Sequence, residues 1–279
     1  MPGRMELLAK NTRFQVALGV VIFIIIVGII GPFFTMDPDE YTGRKFEPPS
    51  WDHKLGCDVF GYDVWSRLVY GIRHSLVVGF VAGLIALVIA FIMGGVGAYR
   101  GGWVDEGTNL LSNVFLTIPV VPVLIVISVL FGHRSLYLVA AIIAVIAWPG
   151  AARALRSQVL SLKEREFVNL ARVSGKGSSR ILFGEIFPNM LAYVFIQFVG
   201  MVGAAIVMEV GISLLGLGTT EVVTLGNMLH WAIAHQGVHM GIWWWFIPPG
   251  VVIVLFTGSL IMIGSVIDDV LNPKLTGVL

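Results

Sequence analysis

The chain has 279 residues, 57% of them hydrophobic and 13% charged, whereas soluble domains carry about 25% charged residues. That balance excludes a water-soluble globular domain, and a net charge of +1 gives no footing for nucleic acid. The single cysteine, Cys57, excludes an intramolecular disulfide and a Cys-rich metal centre.

A basic tail over residues 1–13, with Arg4, Lys10 and Arg13, precedes an apolar run over 14–34. That run is longer than the roughly 7 to 15 residues of a secretory signal core, and no small-x-small cleavage site follows, so it reads as a retained anchor. Residues 35–73 form a mixed-charge segment with five cations and seven acids. A core over 74–267 then holds five more stretches near the roughly 20 apolar residues that a helix needs to cross hydrocarbon. They fall at 74–99, 108–131, 135–152, 190–216 and 244–267, the fourth being the shortest, and residues 268–279 make a second tail. The expected fold is an all-α integral membrane protein with six transmembrane helices.

Lysine and arginine favour the cytoplasmic side of short loops. Seven of them lie between Arg153 and Pro188 and none between Leu217 and Trp243, which puts the first loop inside and the second outside. Six spans then leave both termini inside and residues 35–73 outside. Within the spans, Gly79, Gly83, Gly94, Gly95 and Gly97 are spaced for close helix packing in lipid. Pro119, Pro122, Pro149, Pro248 and Pro249 each remove a helix hydrogen bond and favour kinks.

The loop over 153–189 is patterned although it is too polar to span. Phe167, Leu170, Ala171 and Ser174 share one face of a short amphipathic helix, and Gly175 stands where that helix would stop. Ser178 or Ser179 is placed to cap a second short helix, whose Ile181, Leu182 and Ile186 lead to Pro188 before the fifth span. The pattern predicts a helix-turn-helix between spans 4 and 5. By itself it fits either a helix that docks on a soluble partner or one that lies on lipid headgroups.

The residues resemble the EAA loop of binding-protein-dependent ABC importer permeases: acid-Ala-Ala, three residues, Gly, then two hydrophobic residues and Pro. Asn169-Leu170-Ala171, Gly175 and Ile186-Phe187-Pro188 occupy those places. Asn169 and Leu170 depart from the acid and alanine, and Glu166, one helical turn upstream, is positioned to supply the charge instead. Four further stretches are similar to the C-subunit permeases of dipeptide and oligopeptide importers. They are His53 to Gly71, Gly101 to Glu106, Trp148-Pro149-Gly150 and Leu214-Leu-Gly-Leu-Gly218, the last followed by Gly226-Asn-Met-Leu229.

The resemblance implies a heterodimer with a homologous permease, two cytoplasmic ATPase subunits that bind ATP and Mg, and an external substrate-binding protein. It places the chain in the cytoplasmic membrane of a bacterium or archaeon. It makes Glu166, Asn169, Leu170, Ala171, Gly175, Ile186 and Pro188 the ATPase-coupling residues. The implied cargo is peptides, with oligosaccharides or nickel as alternatives on the same machinery. A secondary transporter or channel would need coupling-ion or filter residues inside the spans, where Glu209 is the one acid deep in the hydrocarbon.

Glu209 reads either as a helix staple or as part of the pathway or gate. His235 and His239, spaced i, i+4, would align for a metal on a helix, or else belong to a polar surface facing the external protein. Trp243, Trp244 and Trp245 resemble an interfacial aromatic belt. Ser174-Gly-Lys-Gly-Ser-Ser179 lacks both the upstream glycine and the preceding strand of a phosphate-binding loop. The sequence therefore predicts a protein that is not an enzyme, with no catalytic residue, no cofactor of its own and no metal ligands.

Overall fold

The computed structural model describes residues 4–271, and its regular structure is helical apart from two isolated bridges, Tyr41 with Tyr62 and Cys57 with Asp63. The expected tails at 1–13 and 268–279 lie partly outside the described residues. Within them, α1 (Arg4–Lys10) meets α2 (Thr12–Ile30) at Asn11, whose side chain accepts from the N–H groups of Arg13 and Phe14. A 3₁₀ turn, Gly31–Phe34, extends this first apolar helix to Phe34.

The second helix starts ten residues before the expected position 74. Asp63 caps it, accepting from Ser66 N–H at 2.7 Å, and α3 runs over Val64–Ala90. Its first turns hide from a hydropathy reading because they carry Arg67. That side chain is buried against Asp58 (3.0 Å), with a second bond to Asp39 (3.0 Å). A π-helical turn, Phe91–Val96, and α4 (Gly97–Arg100) complete a helical unit from Val64 to Arg100.

The expected third span is broken. α5 (Gly102–Thr117) and α6 (Val120–Leu130) meet at 87°. Pro119 disfavours helical backbone at the residue before it, and Ile118 is extended (φ −76°, ψ 128°). Pro122 falls in the first turn of α6, where its missing N–H is no loss.

The fourth stretch, the shortest by sequence, is one of the long helices: α7 (Leu136–Lys163) passes through Pro149 and projects well beyond residue 152. α8 (Glu166–Val173) follows. α9 (Ser178–Ile181), a second π-turn (Leu182–Ile186) and α10 (Phe187–Leu214) then run on as one unit. The predicted second helix of the loop is thus the beginning of span 5, and neither serine caps it, since Gly177 holds the cap position without a side-chain bond. α11 (Leu225–Ala234) starts at the Thr224 cap, and α12 spans Trp243–Leu271. Five of these units are long and apolar enough to cross a membrane, and the bent pair makes six when counted as one span.

α3 lies between α7 and α10, and α12 packs on α2 and α10. Gly79 and Gly83 let α3 approach α10: a Cβ on Gly79 would sit 2.6 Å from Ile206 Cγ1, and one on Gly83 would sit 3.1 Å from the Val202 backbone nitrogen. The two π-turns touch through aromatic rings, Phe91 packing against Phe183 (6.1 Å) and Phe187 (5.1 Å).

Polar contacts gather at two ends of the helices. At one end Arg156 grips Asp105 through two bonds of 2.7 and 2.8 Å, and Lys163 reaches the Ala98 carbonyl. At the other, Arg134, between α6 and α7, donates to the carbonyls of Gly218 (2.9 Å) and Gly216 (3.3 Å) beyond α10.

Candidate functional site

α8 sits between the ends of α7 and the α9–α10 unit. Its attachment is apolar: Val168 (0% exposed) and Ala171 face inward and join Val159, Ile181, Leu182 and Ile186 in one buried cluster. Leu170, expected on this inner face, instead points outward at 68% exposure, with Val173 at 88%. The reason is register: Val168 and Ala171, three residues apart, supply the small inner face, and Leu170 cannot share it. Glu166, Asn169, Leu170 and Val173 follow the i, i+3, i+4, i+7 spacing of a single helical face, and all four are exposed.

Polar contacts fix the ends of α8. Arg172 donates to the Lys163 carbonyl at the end of α7 (3.2 Å) and to Asn169 Oδ1 (2.9 Å). Asn169 is therefore engaged within the helix, while Glu166 makes no ion pair among the described residues. Gly175 adopts φ +74°. Its N–H bonds the Arg172 carbonyl (3.0 Å) and that of Lys176 bonds the Ala171 carbonyl (3.1 Å), a complete Schellman stop that glycine alone enters without strain. Lys176 then pairs with Glu185 in the π-turn. Ile186 is buried, and Pro188 stands exposed in the first turn of α10.

The expected coupling residues thus separate by role: Ala171 and Ile186 anchor, Gly175 stops the helix, and Glu166 and Leu170 face outward. Val173 joins this outer face through its i, i+3 relation to Leu170, a spacing visible in the sequence.

At the opposite end Glu209 is wholly buried, and its Oε1 accepts from Ser213 Oγ and Thr224 Oγ1, both at 2.7 Å. Thr224 also caps α11, so the carboxylate joins α10 to the start of α11. A cavity of ≈ 510 Å³ opens nearby, lined by both charge signs: Asp39, Arg67, Arg134 and Glu221, with His230 and Trp231.

Two expectations at this end change. α11 stops at Ala234, so His235 and His239 do not stand a turn apart on a helix, and His235 packs edge-on against Phe60 (5.1 Å). Of the three tryptophans expected as an aromatic belt, two turn into the protein. Trp245 is buried with Phe46 on its edge, Trp244 donates to the Cys57 carbonyl (3.3 Å), and Trp243 is the one left exposed. Trp244 and Trp245 hold segment 35–63 against the start of α12.

Residues 86–277 match the family described as binding-protein-dependent transport system inner membrane component. The chain belongs to this family. Among its relatives in the family, a dipeptide transport system permease protein of Bacillus subtilis is 33% identical over 96% of this chain and 84% of its own length. A putative peptide transport system permease protein of Brucella abortus is 30% identical over 96% of this chain and 90% of its own. Binding-protein-dependent permeases are the non-catalytic, multi-pass inner-membrane components of ABC importers. They carry no cofactor, work with a binding protein, and leave ATP to the ATPase partner.

Proposed function

We propose that this chain is the permease half of a di- or oligopeptide importer and that the outer face of α8 is where an ATPase subunit docks. The exposed apolar pair Leu170–Val173 carries the reading: it stands on a helix whose reverse side is anchored in the same buried cluster as α7 and α9. A push on that face is transmitted to two spans at once, because Arg172 ties α8 to α7 and the Lys176–Glu185 pair ties the turn to span 5. Glu166, at the N-terminal edge of the face, supplies the charge that Asn169 lacks. Closure of two ATPase subunits moves α8 and switches the pathway between its two openings.

The peptide cargo follows the names of the relatives. A homologous permease completes the pathway, and an external binding protein delivers to the end that holds the ≈ 510 Å³ cavity. Both termini are cytoplasmic, in keeping with the cations gathered around α8.

A cysteine at position 170 tests the docking face, since the native Cys57 is buried and far along the chain. With a matching cysteine in the ATPase groove, oxidation should cross-link the two subunits in the assembled complex. An assembled complex that cross-links from an α5 position and never from 170 would refute the assignment. Uptake of a labelled dipeptide by vesicles holding the whole complex tests the cargo, and no accumulation with ATP and binding protein present would refute it.

A further inference from the structure

Between Phe34 and α3 the chain forms two isolated bridges but no helix or sheet, yet it brings together three side chains of metal-ligating type. Ligand atoms of Glu47, His53 and Cys57 all lie within 4.8 Å of one another, Cys57 and His53 buried and Glu47 half-buried. Gly43 lies against the same three atoms: a Cβ on it would sit within 3.2 Å of Cys57 Sγ, His53 Nε2 and Glu47 Oε2. At residue 43 any side chain would therefore fill the space between the donors.

The backbone holds this arrangement. Cys57 N–H bonds the Glu47 carbonyl (2.8 Å), the His53 carbonyl accepts from Ser50 and Gly56 (2.8 and 2.9 Å), and Arg44 N–H bonds Glu47 Oε2 (3.0 Å). Behind the histidine, Asp63 Oδ1 lies 3.1 Å from His53 Nδ1. A carboxylate there sets the tautomer and turns the Nε2 lone pair toward the cluster, the outer-shell partner that metal-bound histidines commonly have. Asp63 is itself held at the α3 cap by Ser66.

We infer that Glu47, His53 and Cys57 form a binding site for a zinc-class divalent cation, with Asp63 orienting His53. One nitrogen, one sulfur and one oxygen suit a borderline ion such as Zn²⁺ and give Mg²⁺ or Ca²⁺ too few oxygens. Tetrahedral zinc sets its ligand atoms about 3.3–3.8 Å apart, so a small side-chain closure completes three positions and leaves the fourth open. Glu47 and Asp63 place two carboxylates within the cluster and directly behind it. The ion would tie the segment before Pro48 to the start of α3, in a stretch that lacks a sheet or helix to hold it.

The full-length chain, purified without a polyhistidine tag, stripped with EDTA and incubated with Zn²⁺, should retain one zinc per chain after desalting. With Co²⁺ it should show a thiolate charge-transfer band. Cys57→Ser should abolish the band and the bound zinc, His53→Gln should lower the zinc content, and Asp63→Asn should weaken affinity by about 10- to 100-fold. His235→Gln should change neither. Absence of the cobalt band in the wild-type chain overturns the site without reference to any variant, and so does equal zinc content in wild type and a folded Cys57→Ser chain.

Discussion

If Leu170 and Val173 are a docking surface, truncating them should weaken the ATPase and leave the permease fold alone. Fully burying a leucine is worth about 1.5–3 kcal/mol, and 68% of the Leu170 surface is still available, so Leu170→Ala should cost about 1–2 kcal/mol of binding. That corresponds to roughly 5- to 30-fold in Kd. Val173, at 88% exposure, adds a similar amount, so the double variant should lose on the order of a hundredfold. The measurement is a titration of purified ATPase onto the detergent-solubilised permease, with a thermal melt of the permease alone beside it. Val168→Ala is the contrast: it removes two methyls from the buried side and should cost about 1.5 kcal/mol or more of permease stability. A double variant that binds within twofold of wild type, or whose loss of binding comes with an equally lowered melt, would refute the docking face.

Glu209→Gln keeps a carbonyl for Ser213 and Thr224, so assembly and uptake should survive. Glu209→Leu strands two buried hydroxyls at about 1–3 kcal/mol each and should lower the melting temperature; a folded Gln variant without uptake would instead place the acid in the pathway. Gly175→Val forces a β-branched residue to φ +74° and should cost about 1–2 kcal/mol locally, seen as faster proteolysis after Lys176, whereas Gly177→Ala at φ −67° should be silent. Arg67→Met leaves Asp58 buried and unpaired, a loss of about 3–5 kcal/mol that should show as protease sensitivity confined to residues 35–63.

The spans were legible because apolar runs of this length have few other uses, and the turn at Gly175 was legible because the chain there needs left-handed backbone. What sequence hid was polar structure held by distant partners. The first turns of α3 were masked by Arg67, whose charge is met by Asp58 and Asp39 from the preceding segment. The orientation of Leu170 depended on which face of α8 met Ile181 and Ile186, and helical period alone does not choose. Trp245 is buried because segment 35–63 folds over it, and Glu47, His53 and Cys57 meet through irregular backbone that no periodicity describes. Pro119 announced a break, while its angle of 87° came from the extended residue before it.

The π-turn at the start of span 5 makes single-residue deletions unequal along that span. A π-turn holds one residue more than the α-turn it replaces, so removing Gly184 from Leu182–Ile186 lets the helix relax to ordinary winding with the faces on either side still in register. Removing Gly200 from α10 has no such slack, and everything on one side of it turns by about 100° relative to the other. Glu209 would then face away from Thr224 while α8 kept its place. The spare residue therefore lets span 5 change its length beside α8 without disturbing the carboxylate at its far end.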